Sequence, residues 1–187
     1  LSDIRCAMRT LKEKAPSIDG CGLLGLRFGG MLAATAAESM PDTRKLILWD
    51  PVLDGAKYLQ DMLMINLTTQ TAVFKKILHT RDDLVRMMKE GATVNVDGYE
   101  MSYSMYEQAS SVNLLGSGRT FSGDCLIVQI SRKPEAVKKD LEKLRGSYAN
   151  AEIKLSIEEP FWKEIKTFNG RAENLFRETL TWLGAEQ

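Results

Sequence analysis

Apolar residues recur along this chain in two rhythms, one helical and one strand-like. Ile4, Ala7, Met8 and Leu11 fall at helical spacing, with Ser2 placed as a cap and Pro16 beyond the end. The short apolar run Cys21-Gly22-Leu23-Leu24 reads as a strand. It enters a glycine turn, Gly25-Leu26-Arg27-Phe28-Gly29-Gly30, and the small-residue run Met31-Leu32-Ala33-Ala34-Thr35-Ala36-Ala37 then predicts a helix ending near Met40-Pro41. Lys45-Leu46-Ile47-Leu48-Trp49-Asp50 is apolar enough for a parallel strand covered on both faces, and Pro51 stops it.

From residue 56 to 91 the pattern is helical. Tyr58, Leu59, Met62 and Leu63 make one apolar stripe, and Ala72, Val73, Phe74 and Ile77 a second. Thr80-Arg81-Asp82-Asp83 has the form of a capping box opening a third helix, which ends at Gly91. Thr93-Val94-Asn95-Val96 alternates, and Asp97-Gly98 signals a hairpin before Tyr99-Glu100-Met101-Ser102. Met105, Ala109, Val112 and Leu115 predict one more helix. This block lacks the strand–helix alternation on either side, so it reads as an inserted, mainly helical cap.

Alternation resumes with the strand Asp124-Cys125-Leu126-Ile127-Val128-Gln129-Ile130. Pro134 suits the first turn of a helix that carries Val137, Leu141 and Leu144 and stops at Gly146. Ala151-Glu152-Ile153-Lys154-Leu155-Ser156-Ile157 gives a fourth strand, followed by a loop with Pro160, Phe161 and Trp162. A last helix begins after Asn169 and is expected to bury Leu175, Phe176, Thr179, Leu180 and Leu183. Strands alternating with helices predict a parallel sheet with right-handed crossovers, an α/β fold. The expected core is residues 1–55 and 117–187, with the cap at 56–116.

Composition narrows the class of protein only a little. The chain has 187 residues, 44% hydrophobic and 27% charged, which suits one core with a small insertion. Lys plus Arg and Asp plus Glu number 25 each, so net charge gives no hint of nucleic-acid or acidic-membrane binding. No apolar run approaches the roughly 20 residues of a membrane span, and no signal peptide is seen. Cys6, Cys21 and Cys125 lack metal-ligand spacing and read as buried, reduced thiols of a cytoplasmic protein. No cofactor motif is present: the glycines are too few and wrongly spaced for a dinucleotide loop or a P-loop.

The glycine turn holds the chemical interest. Residues 25–29 have the G-x-S-x-G spacing of a nucleophile elbow, a strained strand-to-helix turn that lifts one side chain above a parallel sheet. Arg27 stands where the serine would be, and a guanidinium stays protonated and cannot attack a carbonyl. The sequence therefore carries the geometry of an elbow without its nucleophile.

Taken together, the elbow, the strand ending Leu48-Trp49-Asp50-Pro51, the insertion and two further strand–helix pairs resemble the C-terminal half of the α/β-hydrolase superfamily. Gly25-Leu26-Arg27-Phe28-Gly29, Leu48-Trp49-Asp50-Pro51-Val52 and Pro160-Phe161-Trp162 are similar to the exosortase-system-associated hydrolases of bacteria, which do not always keep a serine at the elbow. The resemblance implies about four strands ahead of the first helix. Without them the elbow strand becomes a sheet edge, to be completed by a missing N-terminal segment or by a second copy in a homo-oligomer. The chain also opens at Leu1-Ser2-Asp3-Ile4 without an initiator Met, which leads us to expect processing or a fragment of a longer protein.

The resemblance also assigns triad positions, and all three depart. The acid usually follows the strand at 124–130, where Ser131, Arg132 and Lys133 stand. Some members place it after the preceding strand, where Asp50 lies. The base usually lies in the loop at 158–170, which has no histidine; the one histidine, His79, is expected on a helix of the cap. Glu158, Glu159 and Glu164 flank the empty base position and read either as acid–base carboxylates or as a solvated acidic loop. Cys21 is a thiol nucleophile by type but lies several residues before the turn and is expected to point into the sheet. Ser17, Ser117 and Ser122 show no histidine–acid pairing, and Gly116-Ser117-Gly118 reads as a flexible loop. The cap's Tyr58, Met62, Met64, Met87, Met88, Tyr103 and Tyr106 either line an apolar pocket or pack the cap.

Two functions follow. One is a relative of serine esterases and acyl hydrolases that lacks the Ser-His-Asp triad and binds a small anionic, acyl or carbohydrate-linked ligand through Arg27, Phe28 and Asp50. The other is an active hydrolase with a non-serine site at Asp50 or in the 158–164 loop. A third reading of Arg27 is structural, an internal ion pair with Asp50.

Overall fold

The computed structural model describes residues 1–96, 98–116, 118, 120–162 and 171–184. Asp97, Ser117, Glu164 and Asn169, each named above, lie outside the described residues. The chain forms two compact units, Leu1–Leu53 with Leu114–Gln187, and Asp54–Asn113.

The first unit is a four-stranded parallel sheet flanked by helices. In chain order it contains α1 (Ser2–Lys14), β1 (Cys21–Leu26), α2 (Phe28–Ala37) and β2 (Thr43–Trp49). The second unit then intervenes with α3 (Gly55–Phe74), α4 (Arg81–Lys89), β3 (Val94–Val96), β4 (Tyr99–Met101) and α5 (Tyr103–Ser110). The first resumes with β5 (Asp124–Ser131), α6 (Lys139–Gly146), β6 (Asn150–Ile157) and α7 (Glu173–Leu183). The sheet order is β1-β2-β5-β6, every pair parallel. All four strands predicted from apolar runs are present, and β1 lies at an edge, with Leu24 half exposed.

Strand periodicity explains how both faces are filled. Side chains alternate across a strand, so Ile47 and Trp49 share one face with Leu126, Val128 and Ile130, where Ala172 and Leu175 pack on them. Leu46, Leu48 and Ile127, one residue out of step, are buried on the other face. The helix α2 is nearly all small and apolar. Its buried Ala33, Ala34, Ala36 and Ala37 let the helix approach β1 and β2 closely.

Several helix predictions need correction. Ser2 is not the cap of α1; Leu1 holds that position without a side-chain bond, and the stripe Ile4, Ala7, Met8, Leu11 buries nothing fully. Pro134 does not open α6, which starts at Lys139. The fully buried Gln129 captures the intervening backbone: its amide Nε2 donates to Ala136 O at 3.3 Å and its Oε1 accepts from Lys138 N at 2.7 Å. Those bonds hold residues 136–138, Val137 included, out of helix. In α7 only Leu175 and Thr179 of the five expected residues are buried, while Phe176, Leu180 and Leu183 are exposed. Burial at 175 and 179 is one narrow stripe, because i and i+4 share a helix face.

The second unit is mainly helical with one hairpin. Its ends meet at an antiparallel bridge between Asp54 and Asn113. Residues 55–74 form one unbroken helix, so the second stripe is its last turn and not a separate helix; Ile77 lies beyond it, and Val73, Phe74 and Ile77 face solvent. The capping box is present, Thr80 Oγ1 accepting from Asp83 N and Asp83 Oδ2 from Thr80 N. β3 and β4 pair antiparallel. The helix α5 stops at Ser110, before Val112 and Leu115, and Val112 O instead accepts from Gly55 N at 2.9 Å. His79 is exposed in the turn ahead of α4, not on a helix.

Candidate functional site: the elbow and its ion pair

The elbow forms as its spacing predicts. Arg27, between β1 and α2, adopts φ 53° and ψ −118°, a conformation that ordinary side chains rarely hold. Four backbone hydrogen bonds fix it. Arg27 N donates to Trp49 O at 2.9 Å, and Arg27 O accepts from Gly30 N (3.0 Å), Met31 N (3.3 Å) and Val52 N (3.0 Å). The turn is thus tied both into its own helix and to the segment after β2.

Two glycines make this geometry accessible, and they are not the expected pair. A Cβ at Gly25 would sit inside 3.0 Å of the Gly29 carbonyl and the Gly30 amide, all backbone. One at Gly30 would lie 3.1 Å from both Gly25 O and Pro51 Cβ. One at Gly29 would meet nothing within 4 Å. The close strand–helix approach therefore depends on positions 25 and 30.

Asp50 stands at the end of β2 and also has positive φ, 40°. Its N–H donates to Val128 O at 2.7 Å, which anchors it to the next strand. Arg27 Nη1 lies 2.7 Å from Asp50 Oδ2 and donates to Asp50 O at 3.1 Å, so the structural ion pair is made. Lys138 Nζ lies 3.5 Å from the other carboxylate oxygen. The side chain of Asp50 is 8% exposed and that of Arg27 36%: a buried carboxylate lies beneath a guanidinium that reaches solvent. The Arg27 Cζ stands 5.6 Å from the Trp162 ring centroid, within cation–π range.

Lys138 and Gln129 are the residues that sequence reasoning missed. Gln129, by binding the backbone at 138, places that lysine at the carboxylate. The available signal was an amide inside an otherwise apolar strand, since a fully buried amide must find partners.

The remaining candidates are placed as follows. Glu158 Oε1 accepts from Asn174 N (2.7 Å) and Leu175 N (3.3 Å), supplying an acceptor to the first turn of α7, where backbone N–H groups lack helical partners. Glu159 pairs with Arg132 at 2.7 Å. Ser131 O accepts from Glu158 N, and Lys133 is exposed. Cys21 and Cys125 are buried as expected, whereas Cys6, on the uncovered helix α1, is exposed; burial pushes the Cys125 thiol up to about 12. Phe28 is half-buried at the start of α2; Ser17 and Ser122 are exposed. In the second unit Met88 is buried, Tyr58, Met62 and Met87 are half-buried, and Met64 is exposed. Tyr103 and Tyr106 stack at 6.5 Å. Among the described residues no group of three His, Cys, Asp or Glu could hold a metal ion.

The fold and the elbow define the class of architecture: this is the α/β-hydrolase fold. No family model and no curated protein matches the chain. Solved structures do. Alpha/beta hydrolase domain-containing protein 10 from mouse superposes with a TM-score of 0.51 at 16% identity, over 94% of this chain and 66% of that one. A monoacylglycerol lipase of Paleococcus ferrophilus gives 0.50 at 14% identity, over 97% and 74%. An esterase of Pyrococcus furiosus gives 0.51 at 14%, over 97% and 59%. The chain therefore spans 59% to 74% of the length of these structures. What it shares with them is the fold.

Proposed function

We propose that this chain is a hydrolase-fold protein, related to serine esterases and acyl hydrolases, that lacks the serine mechanism and binds an anionic ligand at the elbow. The ligand carries a carboxylate or phosphate, on an acyl or carbohydrate-linked body. One observation carries the reading: the rigid turn presents a part-exposed guanidinium in place of a nucleophile. Its forked donors suit carboxylate and phosphate, and the start of α2 adds the positive end of a helix dipole. Asp50 orients the guanidinium, and Lys138 offsets the charge of Asp50 so that an arriving anion meets a net cationic site.

The motifs at 25–29, 48–52 and 160–162 support a place among the bacterial exosortase-system-associated hydrolases. The buried thiols support a cytoplasmic setting. We take the unit Asp54–Asn113 as a cap and the open edge of β1 as the seat of a further segment or a second copy.

Titration calorimetry with a panel of dicarboxylates, sugar phosphates and acyl phosphates tests the proposal. Binding by the intact chain, lost in Arg27→Ala and weakened in Arg27→Lys, is the expected result, with no labelling by a fluorophosphonate probe. Turnover of nitrophenyl esters that disappears in Asp50→Asn or Glu159→Gln would instead establish the non-serine hydrolase.

A further inference from the structure

The last turn of α3 and the segment joining it to α4 carry their apolar side chains outward. Val73, Phe74, Ile77 and Leu78 are 64%, 55%, 53% and 44% exposed. Lys75 and Lys76 lie between them, and residues 73–80 include no carboxylate; Arg81, Asp82 and Asp83 follow in the first turn of α4. The zero net charge of the chain conceals this local excess.

The segment is built, not loose. The buried Gln70 holds it with both ends of its amide. Oε1 accepts from Leu78 N at 2.6 Å and His79 N at 2.9 Å, while Nε2 donates to His79 O at 3.1 Å and Asn66 Oδ1 at 2.7 Å. Lys75 ends α3 in the left-handed region, φ 60°, its N–H donating to Thr71 O and its ammonium to Ala72 O, each at 3.0 Å. The Thr80–Asp83 capping box then starts α4. A buried amide is thus committed to holding a turn whose apolar residues touch water.

We propose that this turn is a docking tip for an anionic phospholipid surface. Four clustered apolar side chains with two lysines among them match the chemistry of the headgroup boundary. The apolar groups enter the upper acyl region, and the lysine stems lie along it while their ammonium groups reach the phosphates. Charge complementarity selects this occupant. An apolar protein groove would have to desolvate Lys75 and Lys76, which the segment gives no carboxylate to balance. The proposal is independent of the elbow.

Co-sedimentation of the full chain with extruded vesicles tests it, using phosphatidylcholine alone and with phosphatidylglycerol at roughly one lipid in three. We expect sedimentation with the anionic vesicles and much less with the neutral ones. Lys75→Gln with Lys76→Gln should weaken partitioning about thirtyfold, from the usual contribution of a lysine near an anionic surface. Phe74→Ser with Ile77→Ser should abolish it, and circular dichroism should show both variants folded. Failure of the unaltered chain to sediment, or variants that bind as it does, would overturn the proposal. So would a dimer by size-exclusion that Phe74→Ser with Ile77→Ser converts to monomer without any vesicle binding, since a second copy would then cover the tip.

Discussion

Alanine at Gly25 and alanine at Gly29 should act in opposite directions, although the two glycines stand symmetrically about the elbow in sequence. A Cβ at 25 falls inside 3.0 Å of three backbone atoms of residues 29 and 30. No rotamer change relieves backbone overlap, so β1 and the start of α2 must separate, and the bonds from Arg27 O to Gly30 N and Met31 N stretch with them. Overpacking of this kind costs about 2–4 kcal/mol, at or above the top of the usual range because the obstacle cannot turn aside. At Gly29 the added methyl meets open space on an exposed first-turn position, and the less flexible unfolded chain makes alanine more stable by about 0.4–1 kcal/mol. For a chain of this size each kcal/mol moves Tm by about 2–4 °C. Calorimetric or circular dichroism melts should therefore show Gly25→Ala lower by roughly 4–16 °C and Gly29→Ala higher by roughly 1–4 °C. A Gly25→Ala melt within 2 °C of the parent, or equal losses at both positions, would refute the steric account of the elbow.

Three further outcomes follow from the first unit. Asp50→Asn leaves Arg27 and Lys138 without their carboxylate; because Arg27 reaches solvent the loss should be about 1–3 kcal/mol in urea unfolding, below that of a fully buried pair. Burial raises the Cys125 thiol from 9.0 to about 12. The unfolded chain thus releases this proton first, and the thiol's stability contribution, full below pH 9.0, falls as pH rises toward 12, by about 2 kcal/mol at pH near 10.5. Cys125→Ala should lack that part of the alkaline loss, and urea melts at both ends of the window would show it. Gln129→Leu removes both amide bonds to residues 136–138, so hydrogen exchange at Lys138 N should accelerate and stability fall by about 1–3 kcal/mol.

The strands were legible because parallel strands buried on both faces write themselves as apolar runs; Leu46-Ile47-Leu48-Trp49 and Leu126-Ile127-Val128 could hardly lie elsewhere. The elbow was legible from spacing, since the close approach at Gly25 excludes a side chain. Helix limits were less so, because distant groups set them. Residues 136–138 leave helical geometry to satisfy Gln129, and α7 receives its terminal acceptor from Glu158, 16 residues before Asn174. An apolar stripe likewise predicts a helix without saying what covers it. Ile4, Met8 and Leu11 form their helix but remain at least partly exposed, and Phe74 marks the end of α3 with its ring in water. At the site, Arg27 and Asp50 could be brought together from their positions after adjacent strands. Lys138 could not, because its place depends on a side-chain bond to its backbone and not on periodicity.

The four bonds that secure the elbow all use the main chain of residue 27, and its two tight glycines lie on either side of it. The side chain at 27 is therefore a replaceable fitting on a fixed bracket. Substitution there changes what the turn presents while leaving the turn itself in place. A serine could be mounted on this bracket without rebuilding the sheet, because none of the four bonds uses the side chain at 27. Architecture and chemistry are thus separable at this turn: the main chain fixes where a group is presented, and one codon fixes which group it is.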